Sequence, residues 1–291
     1  MQPRVDDRLD IPAPLVGVHL GWTSWLLIGV ISVFGFFALA WPFFVPAVGV
    51  GTQHSQDAPF ILAALLPLML ALVIAQVNEG GLDTRALAML GVLSAISAVM
   101  RPVLGAGTAG VESIFFILIL AGRAFGPGFG FLLGNTAMFA SALLTAGVGP
   151  WLPFQMMGAS ICGLAAGLLP RRVHGKAEIA MLIGLGVVNA YVYGMMMNLW
   201  FWPFITGTSV DGVAAGALDY VPGAPLVDNL RSFLWFTLLT STAGFDTGRA
   251  LATGIALAVL GRPLLVVLRR AAGMARIQAT AHSSGTQAVV A

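Results

Sequence analysis

Apolar runs separated by short, turn-rich stretches fill most of the chain, and they predict eight membrane-spanning helices. A crossing needs roughly 20 mainly apolar residues. Runs near that length cover 24–44, which closes on Pro42 and Pro46, then 59–77, 127–146, 152–169, 179–202 and 247–268. The run 85–104 has a short uncharged part, Ala86 to Met100, so its flanking Arg85 and Arg101 must reach back to the interface. The run 113–120 is shorter still. Between two of these runs lies "GVGPWLPFQMMG", Gly147 to Gly158, a kinked and polar-tipped turn inside 47 residues, 124–170, that carry no charge. A further stretch, "LRSFLWFTLLTSTAGF" at 230–245, is apolar enough for a ninth crossing. It is expected instead as an interfacial or re-entrant helix closing a long loop, with Asp246 as the N-cap of the last span.

Composition strengthens the membrane reading. The chain is 58% hydrophobic and 9% charged, where a soluble domain carries about 25% charged residues. That excludes a water-soluble core with a charged shell and predicts an all-α polytopic membrane protein. The single Cys162 excludes an internal disulfide and reads as a small buried hydrophobe. The start, "MQPRVDDRLDIPAP", is mixed in charge and reads as no removable signal peptide. Residues 271–291 are small, polar and aperiodic, and are expected as a disordered cytoplasmic tail.

Charge then orients the bundle, because Lys and Arg concentrate on the cytoplasmic side. With Arg4 and Arg8 inside, Arg85, Arg123, "RRVHGK" at 171–176 and "RRAAGMAR" near the end also fall inside. The intervening stretches 48–58, 147–151 and 203–230 hold no Lys or Arg, and only Arg101 and Arg231 sit at outer ends. Eight crossings in a plasma membrane, with both termini cytoplasmic, fit this pattern.

Motifs for catalysis are missing. The chain has no GxxxxGK[ST] nucleotide loop, no HExxH, no Cys pair and no GxSxG frame. His19, His54, His174 and His282 are scattered. No enzyme activity, metal site or nucleic-acid partner is expected. Polar residues at membrane depth are costly and point to function. Arg101, Glu112, Gln155, Asn198, Asp246 and Arg249, with Trp151, Trp200 and Trp202, fall near the outer face. Arg123 falls inside, and Asn135 and Asn189 lie within spans. Blander roles stand beside these: the tryptophans as an interfacial belt, Arg101 as an end anchor, and Asp246 with Arg249 as a self-satisfied i, i+3 pair. The spread over four outer turns favours one shared binding pocket over a catalytic centre. Gly91, Ser94, Ala95 and Ala98 form a stripe of small residues that admits a close helix, either a partner or a neighbour in the bundle. "GPGFGFLLG" at 126–134 reads as close backbone packing at a short turn.

The order "LAMLGVLSAISAVMRP", "GVESIFFILILAGRAFGPGFGFLLG", "GVGPWLPFQMMGASICGLAAGLLP" and "NLWFWPF" resembles the substrate-binding S components of energy-coupling factor (ECF) importers, most closely their actinobacterial branch. The resemblance covers about 84–270 and implies a six-helix S-component-like bundle. Residues 1–80 would add a cytoplasmic segment and two extra transmembrane helices. It implies a vitamin or micronutrient pocket at the outer side, formed by the loops 101–112, 147–153 and 203–246. The binding residues expected are Arg101, Glu112, Trp151, Gln155, Asn198, Trp202, Asp246 and Arg249. It also implies that the first core helix docks on a transmembrane coupling subunit through an AxxxA pattern, here Gly91 and Ala95, with Ser94 and Ala98 alongside. Two ATPase subunits would bind the ATP, leaving this chain without a cofactor. The Trp and amide content suits a large ring-bearing ligand, a cobalamin-like corrinoid by family likeness, with other vitamins as alternatives. Two other functions stay open: a stand-alone facilitator or receptor without ATPase partners, and an intramembrane lipid-modifying enzyme using Glu112 or Asp246.

Overall fold

A computed structural model describes residues 20–40, 43, 53–80, 82–103, 110–204, 207 and 211–289, with side chains given for these except 53–62, 65 and 274–289. The helices are α1 (Trp22–Ala40), α2 (Gln53–Asn78), α3 (Thr84–Val103), α4 (Ile114–Phe125), α5 (Pro127–Leu144), α6 (Leu152–Leu168) and α7 (Gly175–Phe201), then α8 (Leu226–Thr237) and α9 (Thr247–Val289). A 3-10 turn at Trp202–Phe204 closes α7, and a π-helical stretch, Leu238–Asp246, joins α8 to α9. The protein is an all-α polytopic membrane protein. Its outer faces are lined by exposed apolar side chains such as Leu26, Val33, Leu70, Val92, Val188 and Ile255.

Helix α4 is the centre of the bundle. It packs against α5, α6 and α9, and touches α3 and α7. All its residues are buried except Arg123, whose side chain is itself 3% exposed. This explains why the run 113–120 is so short. A helix shielded from lipid on every side has no hydrocarbon thickness to match. At about 1.5 Å per residue, α4 reaches only about 18 Å, against roughly 30 Å of hydrocarbon. It is too short to cross the hydrocarbon by itself and is enclosed by the helices that do.

Glycine brings the central helices together. A Cβ on Gly122 of α4 or Gly130 of α5 would meet the carbonyl of Gly163 on α6. The glycine-dense 126–134 stretch packs backbone on backbone, as its composition indicated. Asn135, polar and 3% exposed, stays within the bundle by donating to the Phe131 carbonyl at 3.1 Å and to the Ser160 hydroxyl.

The last long helix corrects the sequence reading. Leu226–Gly273 forms one unbroken apolar helix, so 230–245 does not turn back on itself and Asp246 is not an N-cap. Apolar residues without proline continue through this region, so nothing stops the helix. The π stretch absorbs the register change instead, with the Thr242 and Thr247 hydroxyls bonding the carbonyls five residues back. Beyond Gly273 the helix runs on to Val289, over residues expected as an unstructured tail.

The α1–α2 hairpin packs on α5, α6 and α7. Glu79, just past α2, closes the start of α1, accepting from the Gly21 and Thr23 amides at 2.9 Å each and from the Ser24 amide and hydroxyl. The hydrogen bond from the Ser24 hydroxyl is the main cause that holds its carboxyl below the ordinary glutamate range.

Candidate ligand-binding site

Charged side chains gather at both ends of α4, and of these Glu112 and Arg123 have the sign the helix dipole favours. Glu112 lies just before the first turn and Arg123 in the last. At the Arg123 end, Glu178 (2% exposed) accepts from Arg123 and, at 2.6 Å, from Arg269. Arg123 also donates to the Leu169 and Val173 carbonyls at 3.0 Å each. Every member has a partner, and the group ties α4, α7, α9 and the turn after α6 together.

The Glu112 end differs. Four of the expected residues, Arg101, Glu112, Asp246 and Arg249, converge there from α3, the start of α4, the π stretch and α9. Arg249 bonds Asp246 at 2.9 Å and the Ala190 carbonyl at 3.3 Å. Its Nε lies 3.4 Å from Glu112 Oε2, in a geometry that leaves both atoms without a hydrogen bond. Arg101 approaches Glu112 at 3.9 Å, with its Nε also unpartnered. The Arg249 guanidinium lies 4.9 Å from the Tyr193 ring centre and 6.0 Å from that of Phe115, against an edge-to-face pair whose centres are 4.8 Å apart. Asp246 is 1% exposed and accepts from Ser241 at 2.7 Å. It fits against α7 only because residue 194 is glycine, where a Cβ would collide with its carboxylate. Gly110, at φ +81°, lets the chain before Glu112 lie on the Phe245 carbonyl, which a side chain would occupy.

Beside this cluster opens a cavity of about 380 Å³ between α7, α8 and the π stretch. Asn198, Asp246 and Arg249 line it together with the apolar Met197, Phe236 and Phe245. The Asn198 Nδ2 is buried without a partner. Three of the eight expected residues thus share a cavity wall, and Glu112 and Arg101 stand behind Arg249.

The remaining three are elsewhere. Helix α6 reaches the cluster through Gly158, against which the Tyr193 ring lies. Gln155, one turn nearer the helix start, is half-buried. Trp151 is 41% exposed and meets Trp200 edge-on at 6.3 Å. These two flank the cluster on its α6 side, outside the cavity lining. Trp202 is set apart: the 3-10 turn carries its ring into a second small core with Tyr220 and Phe233, and its N–H is donated to the Leu218 carbonyl at 2.7 Å. It supports the loop rather than facing the cavity.

Sequence reasoning missed Tyr193 and Ser241. Tyr193 is 1% exposed in an apolar helix, and a hydroxyl among methionines was the only signal it gave. Ser241 gave none, because its distance from Asp246 depends on the π register.

The small-residue stripe on α3 divides. Ser94 and Ala98 are buried, Ser94 against the Thr136 hydroxyl at 2.7 Å, whereas Gly91 and Ala95 face outward with nothing within 4 Å of a Cβ added at Gly91. Among the described residues no group of His, Cys, Asp and Glu could hold a metal ion.

A family model described as "ECF transporter, substrate-specific component" matches residues 85–265. No curated protein and no solved structure matches the chain.

Proposed function

The chain belongs to the family of substrate-specific components of ECF transporters, and from that premise we propose that it captures a vitamin or similar micronutrient at the outer face of the plasma membrane and releases it inward through a coupling subunit driven by two ATPases. The observation that carries the reading is the cavity at the Glu112 end of α4. A buried ionic cluster with unpartnered donors sits there at membrane depth, where polar groups serve ligand or ion passage. Lys and Arg are scarce at that end and abundant at the other, which supports an outward-facing cavity with both termini cytoplasmic.

Docking on the coupling subunit falls to the outward half of the α3 stripe, Gly91 and Ala95. The proposal removes Ser94 and Ala98 from that role, since they are already packed within the bundle. The cavity volume lies near the low end of the range for ligand pockets, about 300–1,000 Å³. It favours a compact ring-bearing ligand over a corrinoid. ATP hydrolysis is assigned to the partners, and this chain acts by binding.

The test is affinity purification of the full chain from its native membranes, followed by native mass spectrometry. The expected result is co-purification of a coupling subunit and two ATPases, with a small molecule retained on the chain. A chain that emerges alone, yet still carries its ligand and supports uptake in cells lacking those partners, would refute the coupled mechanism in favour of a stand-alone facilitator.

A further inference from the structure

The cavity's charge balance specifies a class of ligand. The inference rests on the reading of the cavity as the substrate site. Two guanidinium groups, Arg101 and Arg249, face two carboxylates, Glu112 and Asp246, and every contact between them is 3.9 Å or less. The cluster sums to zero. A site built for an anion would hold cationic donors without acids, and a site built for a cation the reverse. Here each charge has an opposite charge within 3.9 Å, while Arg101 Nε, Arg249 Nε and Glu112 Oε2 make no hydrogen bond.

Both Asp246 oxygens are engaged, one by Ser241 and one by Arg249. Arg249 lies against the Tyr193–Phe115 ring pair, has one nitrogen on Asp246 and the Ala190 carbonyl, and turns its Nε to Glu112 without a hydrogen bond. On the cavity wall, Thr240 has its hydroxyl committed to the Phe236 carbonyl at 2.6 Å. Asn198 also lines the cavity, among aromatic and thioether side chains, with its Nδ2 buried behind the wall and unpartnered.

We propose that the cavity takes a compact ring-bearing ligand of zero net charge, whose polar group pairs with the Asn198 amide. Its neutrality is enforced by the Arg101–Glu112–Arg249–Asp246 quartet. An ionic ligand would bring an uncompensated charge against the buried Asp246 and Arg249. Such a charge costs several kcal/mol, a selectivity of at least about a hundredfold against the charged analogue.

The proposal is tested with three probes of one size and different charge: nicotinamide, the anion nicotinate, and the cation N1-methylnicotinamide. Binding of each to the full chain in lipid nanodiscs is measured by microscale thermophoresis, for wild type, Asp246→Asn and Arg101→Gln. Wild type is expected to prefer nicotinamide by about a hundredfold over both ions. Asp246→Asn gives the site a net positive charge and should shift the preference toward nicotinate. Arg101→Gln should shift it toward the cation, and Asn198→Ala should weaken nicotinamide about tenfold. Equal binding of an ion and nicotinamide by wild type overturns the proposal, and so does a preference that neither charge variant moves. If none of the three binds while a small molecule is still retained in native mass spectrometry, this inference falls and the importer reading stands. If nothing is retained either, both fall.

Discussion

Glu178→Gln removes the one negative charge from the Arg123 end of α4, and the structure sets how much that should cost. The wild-type carboxylate is 2% exposed and holds two guanidinium groups. Breaking a buried pair costs about 3–5 kcal/mol, because the surviving charge is left without a partner. Two features pull the value to the low end. Arg123 keeps its bonds to the Leu169 and Val173 carbonyls, whose dipoles still face its charge. The Arg269 side chain is 17% exposed and can turn toward water or headgroups. The expected loss is therefore about 3 kcal/mol. Arg269→Gln should cost about half as much, since it leaves the Arg123–Glu178 pair intact. Equilibrium unfolding in mixed detergent–SDS micelles measures both, and retained ligand is measured on the same samples. Ligand retention should be unchanged, since the cavity cluster is separated from Glu178 by the length of α4, about 18 Å. A Glu178→Gln loss below about 1 kcal/mol would show that the cluster is solvated rather than buried. An Arg269→Gln loss larger than that of Glu178→Gln would reverse the assignment of the central pair.

Three other outcomes follow from the packing. Gly163→Ala should destabilise the fold by about 1–3 kcal/mol through overpacking of α4 and α5, and an unchanged unfolding midpoint would mean these helices part easily. For Glu79 the sign is that of a depressed carboxylate. The closure of α1 is stabilising above the unfolded glutamate range, about pH 4.3, and is lost as pH falls through the lower folded value. Amide exchange at Thr23 and Ser24 should therefore speed up in acid, relative to the intrinsic rate, and Glu79→Gln should abolish that pH dependence. Gly91→Leu and Ala95→Leu should stop coupled uptake while sparing ligand retention, whereas Ala98→Leu should lower stability. Normal uptake by both outward variants contradicts the docking role.

The apolar runs carried most of the fold. Seven of the helices expected from them recur at nearly the same residues, because a membrane helix is written in composition and needs no partner to be recognised. The shortest run was legible only through charge alternation. Its length looked wrong for a crossing, and the reason, complete shielding by neighbours, is a property of the assembled bundle. Asp246 shows the opposite failure. An acidic residue after an apolar stretch is a fair helix-start signal, but a π stretch removes the boundary that the signal presupposes, and no residue in 238–246 announces a change of register.

The candidate site divides along the same line. Ionic residues within apolar sequence identify themselves by cost, and so Arg101, Glu112, Asp246 and Arg249 were found and do meet. Tryptophans carry no such cost. Each sits as comfortably in a membrane belt, a loop core or a pocket, and Trp202 proves to belong to a loop core. The quartet's neutrality was likewise out of reach of the sequence. The two acids and two arginines lie on segments up to 148 positions apart, and only their convergence turns four separate charges into a balanced site. That balance distinguishes the two ends of α4. The Arg123 end sums to one positive charge, carried by Arg123, Glu178 and Arg269, and every member has a hydrogen bond, as a clamp requires. At the neutral Glu112 end, Arg101 Nε, Arg249 Nε and Glu112 Oε2 remain without hydrogen bonds. Buried polar atoms left in that state cost stability, a cost that the fully hydrogen-bonded Arg123 end does not carry.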